Sequence, residues 1–149
     1  MIDGTSEEEL RRAARTGFAM DLIAATDRRH LEVGSVMAFL SSPIRLGQIA
    51  FEFGTMGQPL ACVTWAYLTK NVSKQLEGDP LRLLDLQEWN EGDRLYIIDV
   101  ISPYGLAHGL LSRLRHTLWS SHDAVHAIRQ RADNTTRRVA FPLHKRLTR

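Results

Sequence analysis

The chain has 149 residues, 44% hydrophobic and 24% charged, with a formal net charge of +2. That length suits one domain burying about two-thirds of its unfolded surface, the composition is that of a globular protein, and so small a charge gives no argument for nucleic acid. No apolar run approaches the roughly 20 residues that span a bilayer, the acidic opening MIDGTSEEELRR is unlike a secretory leader, and the lone Cys62 suits a reducing compartment, so a cytoplasmic address is expected.

In chain order, residues 6–25 read as an amphipathic helix. Ser6 followed by Glu9 has the capping-box pattern, and Leu10, Ala14, Phe18, Leu22 and Ala25 recur at helical spacing. A second helix is expected over 34–41, ending before Pro43. The period then changes: Gln48 to Gly54 alternates apolar and polar as a half-buried strand should. Residues 55–58 read as a hairpin turn and Pro59 to Leu68 as a second strand. The stretch 71–89 reads as a short helix, a break at Gly78-Asp79-Pro80 and another short helix. After a turn at 90–93, Arg94 to Ser102 is the clearest strand, closed by Pro103-Tyr104-Gly105. Leu106 to Ser120 reads as a helix with Leu110, Leu111, Leu114 and Leu118 on one face. Residues 125–131 and 138–143 complete the strands. The sum is a single α+β domain over 1–149 with a mixed, mostly antiparallel sheet flanked by helices.

Asp99 most needs explaining, because it interrupts an otherwise apolar strand, Ile97-Ile98-Asp99-Val100-Ile101. A carboxylate buried there must be paired or hydrogen-bonded. Either it accepts backbone N–H bonds at the strand's end, or it orients a catalytic histidine and supports its imidazolium form. Six histidines are available: His30, His108, His116, His122, His126 and His144. Four fall between 108 and 126, but without H-E-x-x-H or Cys/His spacing, so no metal is expected. His30, after the first helix, reads on its own as an ordinary polar residue at a helix end. Cys62, in a strand pattern with no nearby histidine, reads as a small buried hydrophobe. No G-x-S-x-G elbow, P-loop or dinucleotide fingerprint is present, and Gly105 and Gly109 open a helix without an accompanying lysine or acid. From Arg113 onward basic residues dominate, which describes either a solvated arginine-rich surface or one that steers an acidic macromolecule.

Three segments carry a resemblance: Pro59-Leu-Ala-Cys-Val-Thr-Trp65, Trp89-Asn-Glu-Gly-Asp-Arg94, and Ile98-Asp99-Val-Ile-Ser-Pro103-Tyr-Gly105. In order and spacing they resemble the RTX-toxin-activating lysine acyltransferases, the hemolysin-activating type, whose members carry a P-x-A…W strand, a W-x-x-G-D-R turn and an I-D-x-I-x-P-[FY]-G strand end. With Pro43 also matching, the family's essential histidine falls on His30, where Asp27-Arg28-Arg29 stand in place of the family's usual Ser-Pro-x.

The resemblance implies a fold similar to the GNAT acetyltransferases and transfer of a fatty acyl group from acyl–acyl carrier protein to internal lysines of an RTX protoxin. It implies no cofactor beyond that co-substrate, and a tendency to form homodimers. A pyrophosphate loop of the R/Q-x-x-G-x-G/A kind is missing, in keeping with a carrier-protein donor. On this view His30 is the general base, Asp99 assists it, and Arg113, Arg115, Arg129 and Arg131 are candidates to dock the acidic carrier protein. The alternatives are a divergent acyltransferase acting on another protein or amine, and a catalytically silent binding module of the same fold.

Overall fold

A computed structural model of the chain describes residues 4–130 and 136–143, and the backbone alone at 129, 130, 136 and 137. The first helix, α1 (Glu7–Ala24), begins where its cap predicts: the Ser6 hydroxyl accepts from the Glu9 N–H at 3.2 Å, and Glu7, Glu8 and Glu9 set negative charge against the positive end of the helix dipole. A 3₁₀ turn, Asp27–His30, follows, and then α2 (Val33–Leu46).

The expected end of α2 before Pro43 is not observed. Pro43 sits in the last turn, where it and Ile44 are buried, and the helix stops at Gly47 instead. Gly47 has φ 69°, its N–H donates to the Ile44 carbonyl, and the Gln48 N–H donates to the Pro43 carbonyl. These are the two bonds of a Schellman end, which needs a residue comfortable in the left-handed region. Burial of the extra turn outweighs the one N–H that proline lacks.

The sheet has the order β1 (Ile49–Phe53), β2 (Pro59–Leu68), β3 (Arg94–Ile101), β4 (Ala124–Gln130), β5 (Thr136–Pro142). Neighbours run antiparallel except β3 and β4, which are parallel. This is the expected mixed, mostly antiparallel sheet. The β1–β2 hairpin closes with Gly54 N–H donating to the Gln58 carbonyl at 2.8 Å.

Both faces of the sheet are covered. Cys62 and Ile101 share a core cluster with Leu22, Val36 and Leu40, so α1 and α2 lie on one face. On that face too, α3 (Lys70–Gly78) buries Val72 and Leu76 against Ala66 and Leu68, joined by Trp89 of the 3₁₀ turn Leu86–Trp89. Val63, Trp65 and Leu95, alternate to those residues, pack with Leu110 and Leu114 of α4 (Ala107–His116) on the other face. Coverage on both sides explains why β2 reads as an almost unbroken apolar run.

α4 is shorter than its leucine spacing predicts. After Thr117 the chain folds back, the Trp119 N–H donates to the Leu114 carbonyl, and the fully buried Trp119 ring meets Trp65 edge-on at 5.7 Å. The second helix expected before Trp89 is a single 3₁₀ turn. Among the described residues no helix is long and apolar enough to cross a membrane.

Candidate active site

The site grows from an irregularity in β3. Thr64 of β2 is paired with Asp99, but the next residue, Trp65, is paired with Ile97, leaving Ile98 as an extra residue on β3. Such a bulge shifts the in–out alternation by one. Tyr96 and Ile98 pack on the α2–α3 face and Ile97 on the α4 face. Strict alternation would send Asp99 to the α4 side. The extra residue turns it toward α2 and the Asp27–His30 turn.

There Asp99 meets Arg28. The two Arg28 Nη groups donate to the two Asp99 oxygens at 2.5 and 2.7 Å, a fork-to-fork pair with the Asp99 side chain 20% exposed and that of Arg28 38%. The guanidinium also lies over the Phe39 ring, 5.4 Å from its centroid. Its hydrogen bond to Asp99 raises the Arg28 pKa from its ordinary value, against the opposing effect of burial. The partner that a carboxylate in an apolar strand requires is therefore Arg28, two residues before His30.

His30 ends the 3₁₀ turn and is exposed, and among the described residues no hydrogen bond joins it to Asp99. The pair brings the turn that carries His30 onto β3 without joining the imidazole to the carboxylate. The Arg28 contact was missed in the sequence. Its signal was the arginine pair at 28–29 beside the candidate base, matched to an unpartnered acid elsewhere.

β3 and β4 pair at Tyr96 with His126 and at Ile97 with Ala127, and their pairing goes no further. Beyond it Ile98, Asp99 and Val100 line a cavity of about 630 Å³, bounded also by α4 residues including His108 and Arg115 and by Trp119, Val125 and Ala127. A second cavity of about 450 Å³ lies on the α2 side, bounded by Arg28, Phe39, Trp89 and the 80–84 loop. Ile98 and Asp99 line both. The bulge residues are the ones that the two cavities share.

The other candidates are scattered. His116 Nδ1 lies 2.7 Å from the Ser112 carbonyl, His122 stacks on Tyr67, and His126 stacks on Tyr96. Among the described residues no group of three or more His, Cys, Asp or Glu side chains could hold a metal. Cys62 is fully buried in the core below Asp99, and its thiol is pushed up to about 12, first by burial and then by the Asp99 charge. Arg113 donates to Glu52 at 2.9 Å and to the Phe51 carbonyl, and Arg115 donates to the Pro142 carbonyl. Of Arg129 only the backbone is described; Arg131, His144 and the basic residues beyond it lie outside the described residues.

Residues 10–142 match the sequence profile of the RTX toxin acyltransferase family. The chain belongs to this family. Among curated members, it is 36% identical over 73 residues to the RTX-II toxin-activating lysine-acyltransferase ApxIIC of Actinobacillus pleuropneumoniae, covering 49% of this chain and 44% of the relative. It is 24% identical over 74 residues to the lysine-acyltransferase RtxC of Vibrio cholerae, covering 50% and 48%. It is 34% identical over 59 residues to the protein-lysine myristoyltransferase RtxC of Kingella kingae, covering 40% and 35%. The matched stretches thus span about half or less of these relatives. In this RTX toxin acyltransferase family member, the Ile98-Asp99 segment of the resemblance is the bulge itself.

Proposed function

We propose that this chain is a protein-lysine acyltransferase that moves a fatty acyl group from acyl–acyl carrier protein to lysines of an RTX protoxin. The observation that carries the reading is the family match over 10–142, joined to a bulge at which Ile98 and Asp99 line a cavity on either side of β3. A lysine amine holds its proton with a pKa near 10.4, so presenting it free at neutral pH costs about 4.6 kcal/mol. A histidine at the point of attack removes that obstacle.

In this reading His30 takes the proton, and Asp99 assists by gripping Arg28 and so fixing the turn that presents the imidazole. The thioester carbonyl sits in the gap between β3 and β4, where backbone N–H groups around Ile98 and Asp99 stabilise the developing oxyanion. The donor arm enters beside α4, and the amine arrives from the side of the Asp27–His30 turn. The amine's electron pair forms the amide bond, the thiol of the carrier leaves, and the proton passes through His30.

The test is acyl transfer by folded His30→Ala and Asp99→Asn variants, read by intact mass of an RTX protein fragment mixed with acyl–acyl carrier protein. Losses of about 100-fold or more are expected in both. Near-normal rates in both end the proposal. One observation favours a second reading: a carboxylate already neutralised by Arg28 also suits a binding module without chemistry, and absence of any mass increase across several substrates would select it.

A further inference from the structure

Loops that face water are normally polar, yet residues 79–85 read Asp-Pro-Leu-Arg-Leu-Leu-Asp, with Leu81 91% and Leu83 55% exposed. The loop is pinned in this form. Arg82 makes a two-pronged pair with Glu88 at 2.6 and 3.0 Å, its N–H donates to the Asp79 carbonyl, and Glu88 also accepts from the Asp85 N–H. Leu31, which lines the same cavity as Arg28, is 46% exposed. Together with Phe39, Leu84 and Trp89, these side chains line a largely apolar groove of about 450 Å³ whose walls also include Ile98 and Asp99. That volume lies in the range that holds small-molecule ligands.

The charges around the groove narrow its occupant. The charged residues lining it are Arg28, Arg82 and Asp99, and each is spent in a two-pronged ion pair. A phosphate or an ammonium would compete with one of these pairs, whereas a neutral hydrocarbon disturbs none and covers exposed leucine. Position narrows it further, because Ile98 and Asp99 also line the cavity in the β3–β4 gap. A carbonyl held at the bulge would stand beside two residues that also line this groove.

We propose that the groove beneath the 79–85 loop binds the hydrocarbon tail of the donor's acyl group, with its far end against Leu81 and Leu83. The inference rests on the acyltransferase reading for the identity of the donor. It assigns the substrate's chain to the α2 face, opposite the α4 side from which the carrier arm enters.

The test uses binding without chemistry. Non-transferable amide analogues of acyl-pantetheine, from butyryl to palmitoyl, are titrated into the whole chain by calorimetry. Each methylene taken out of water strengthens binding about fourfold until the groove is filled. Leu81→Asp and Leu83→Asp, both at exposed positions, are expected to weaken the palmitoyl analogue at least tenfold and leave the butyryl analogue within twofold. A flat length series, or Asp variants that bind palmitoyl as tightly as the parent, overturns the assignment. Competition for the groove by a lysine-bearing apolar peptide together with a flat series would give it to the acceptor and also overturn it. Length-dependent binding with no transfer to any acceptor would sink the acyltransferase reading and leave the groove standing; transfer with a flat series would do the reverse.

Discussion

Arg28 and Asp99, 71 residues apart in the chain, meet through two parallel hydrogen bonds that tie the Asp27–His30 turn to the bulge of β3. The pair is partly open to water, so its contribution to stability is small, about 1 kcal/mol. Its consequence is positional: the pair fixes the four-residue turn that carries His30, and under the proposed reading that is how the carboxylate would act on the imidazole.

A double-mutant cycle tests that coupling. Arg28→Ala and Asp99→Asn are each expected to lower acyl transfer by about 100-fold, and the double variant should be no slower than Asp99→Asn alone, since residues acting as one unit are non-additive. Arg28→Lys should restore little, because an ammonium cannot reproduce the planar fork. A faster Arg28→Ala enzyme would mean that the arginine blocks Asp99, and additive losses would mean that the two act separately.

His126 supplies a pH signature for the β3–β4 junction. It stacks on Tyr96 at 5.0 Å, and its Nδ1 is buried without a hydrogen-bond partner among the described residues. Its pKa is lowered from 6.5, by burial first and then by the charges of Arg138 and Arg94, with Glu77 opposing. As pH falls below 6.5 the unfolded chain takes the proton before the folded one does, so this contribution to stability is complete above 6.5 and drains away below it. Urea midpoints measured from neutral pH down to mildly acid pH should therefore fall more steeply for the parent than for His126→Phe. Parallel curves would refute the assignment.

Where local chemistry and chain order agree, the sequence is readable. β2 occupies Pro59–Leu68 as its composition predicts, and α1 starts at its Ser6 cap. Tertiary packing overrides local rules at two ends: buried Ile44 carries α2 past Pro43, and Trp119 turning into the core cuts α4 short. The site was half legible. An acid in an apolar strand had to find a partner, but which cation it would find depended on an extra residue, Ile98, that alternation does not reveal.

One motif glycine has a steric reason. Gly92 donates its N–H to the Tyr67 carbonyl at 2.9 Å, and a Cβ there would overlap the backbone of Leu68 and Thr69. The clash is with main chain, so no rotamer change relieves it. Gly92→Ala should destabilise the fold by about 3 kcal/mol, loosening the turn that delivers Trp89 to the groove wall. Denaturant midpoints check this, and a loss below 1 kcal/mol would show that the turn can move aside.

The two arginines of α4 should separate in carrier-protein docking. Arg113 is neutralised by Glu52 at 2.9 Å, whereas Arg115, which lines the larger cavity, has the uncharged Pro142 carbonyl and no ion-pair partner among the described residues. An uncompensated cation steers an acidic partner more strongly than a paired one, and salt screens the difference. Arg115→Glu is therefore expected to raise the apparent KM for acyl–acyl carrier protein about tenfold at low salt, Arg113→Glu only a few-fold, with the two converging at high ionic strength. Because Arg115 is exposed at the end of α4, charge reversal there leaves the core intact, and a fall in kcat with unchanged KM would place its role in the chemistry instead. Equal KM values for both variants and the parent at low salt would remove this face of α4 from the docking surface.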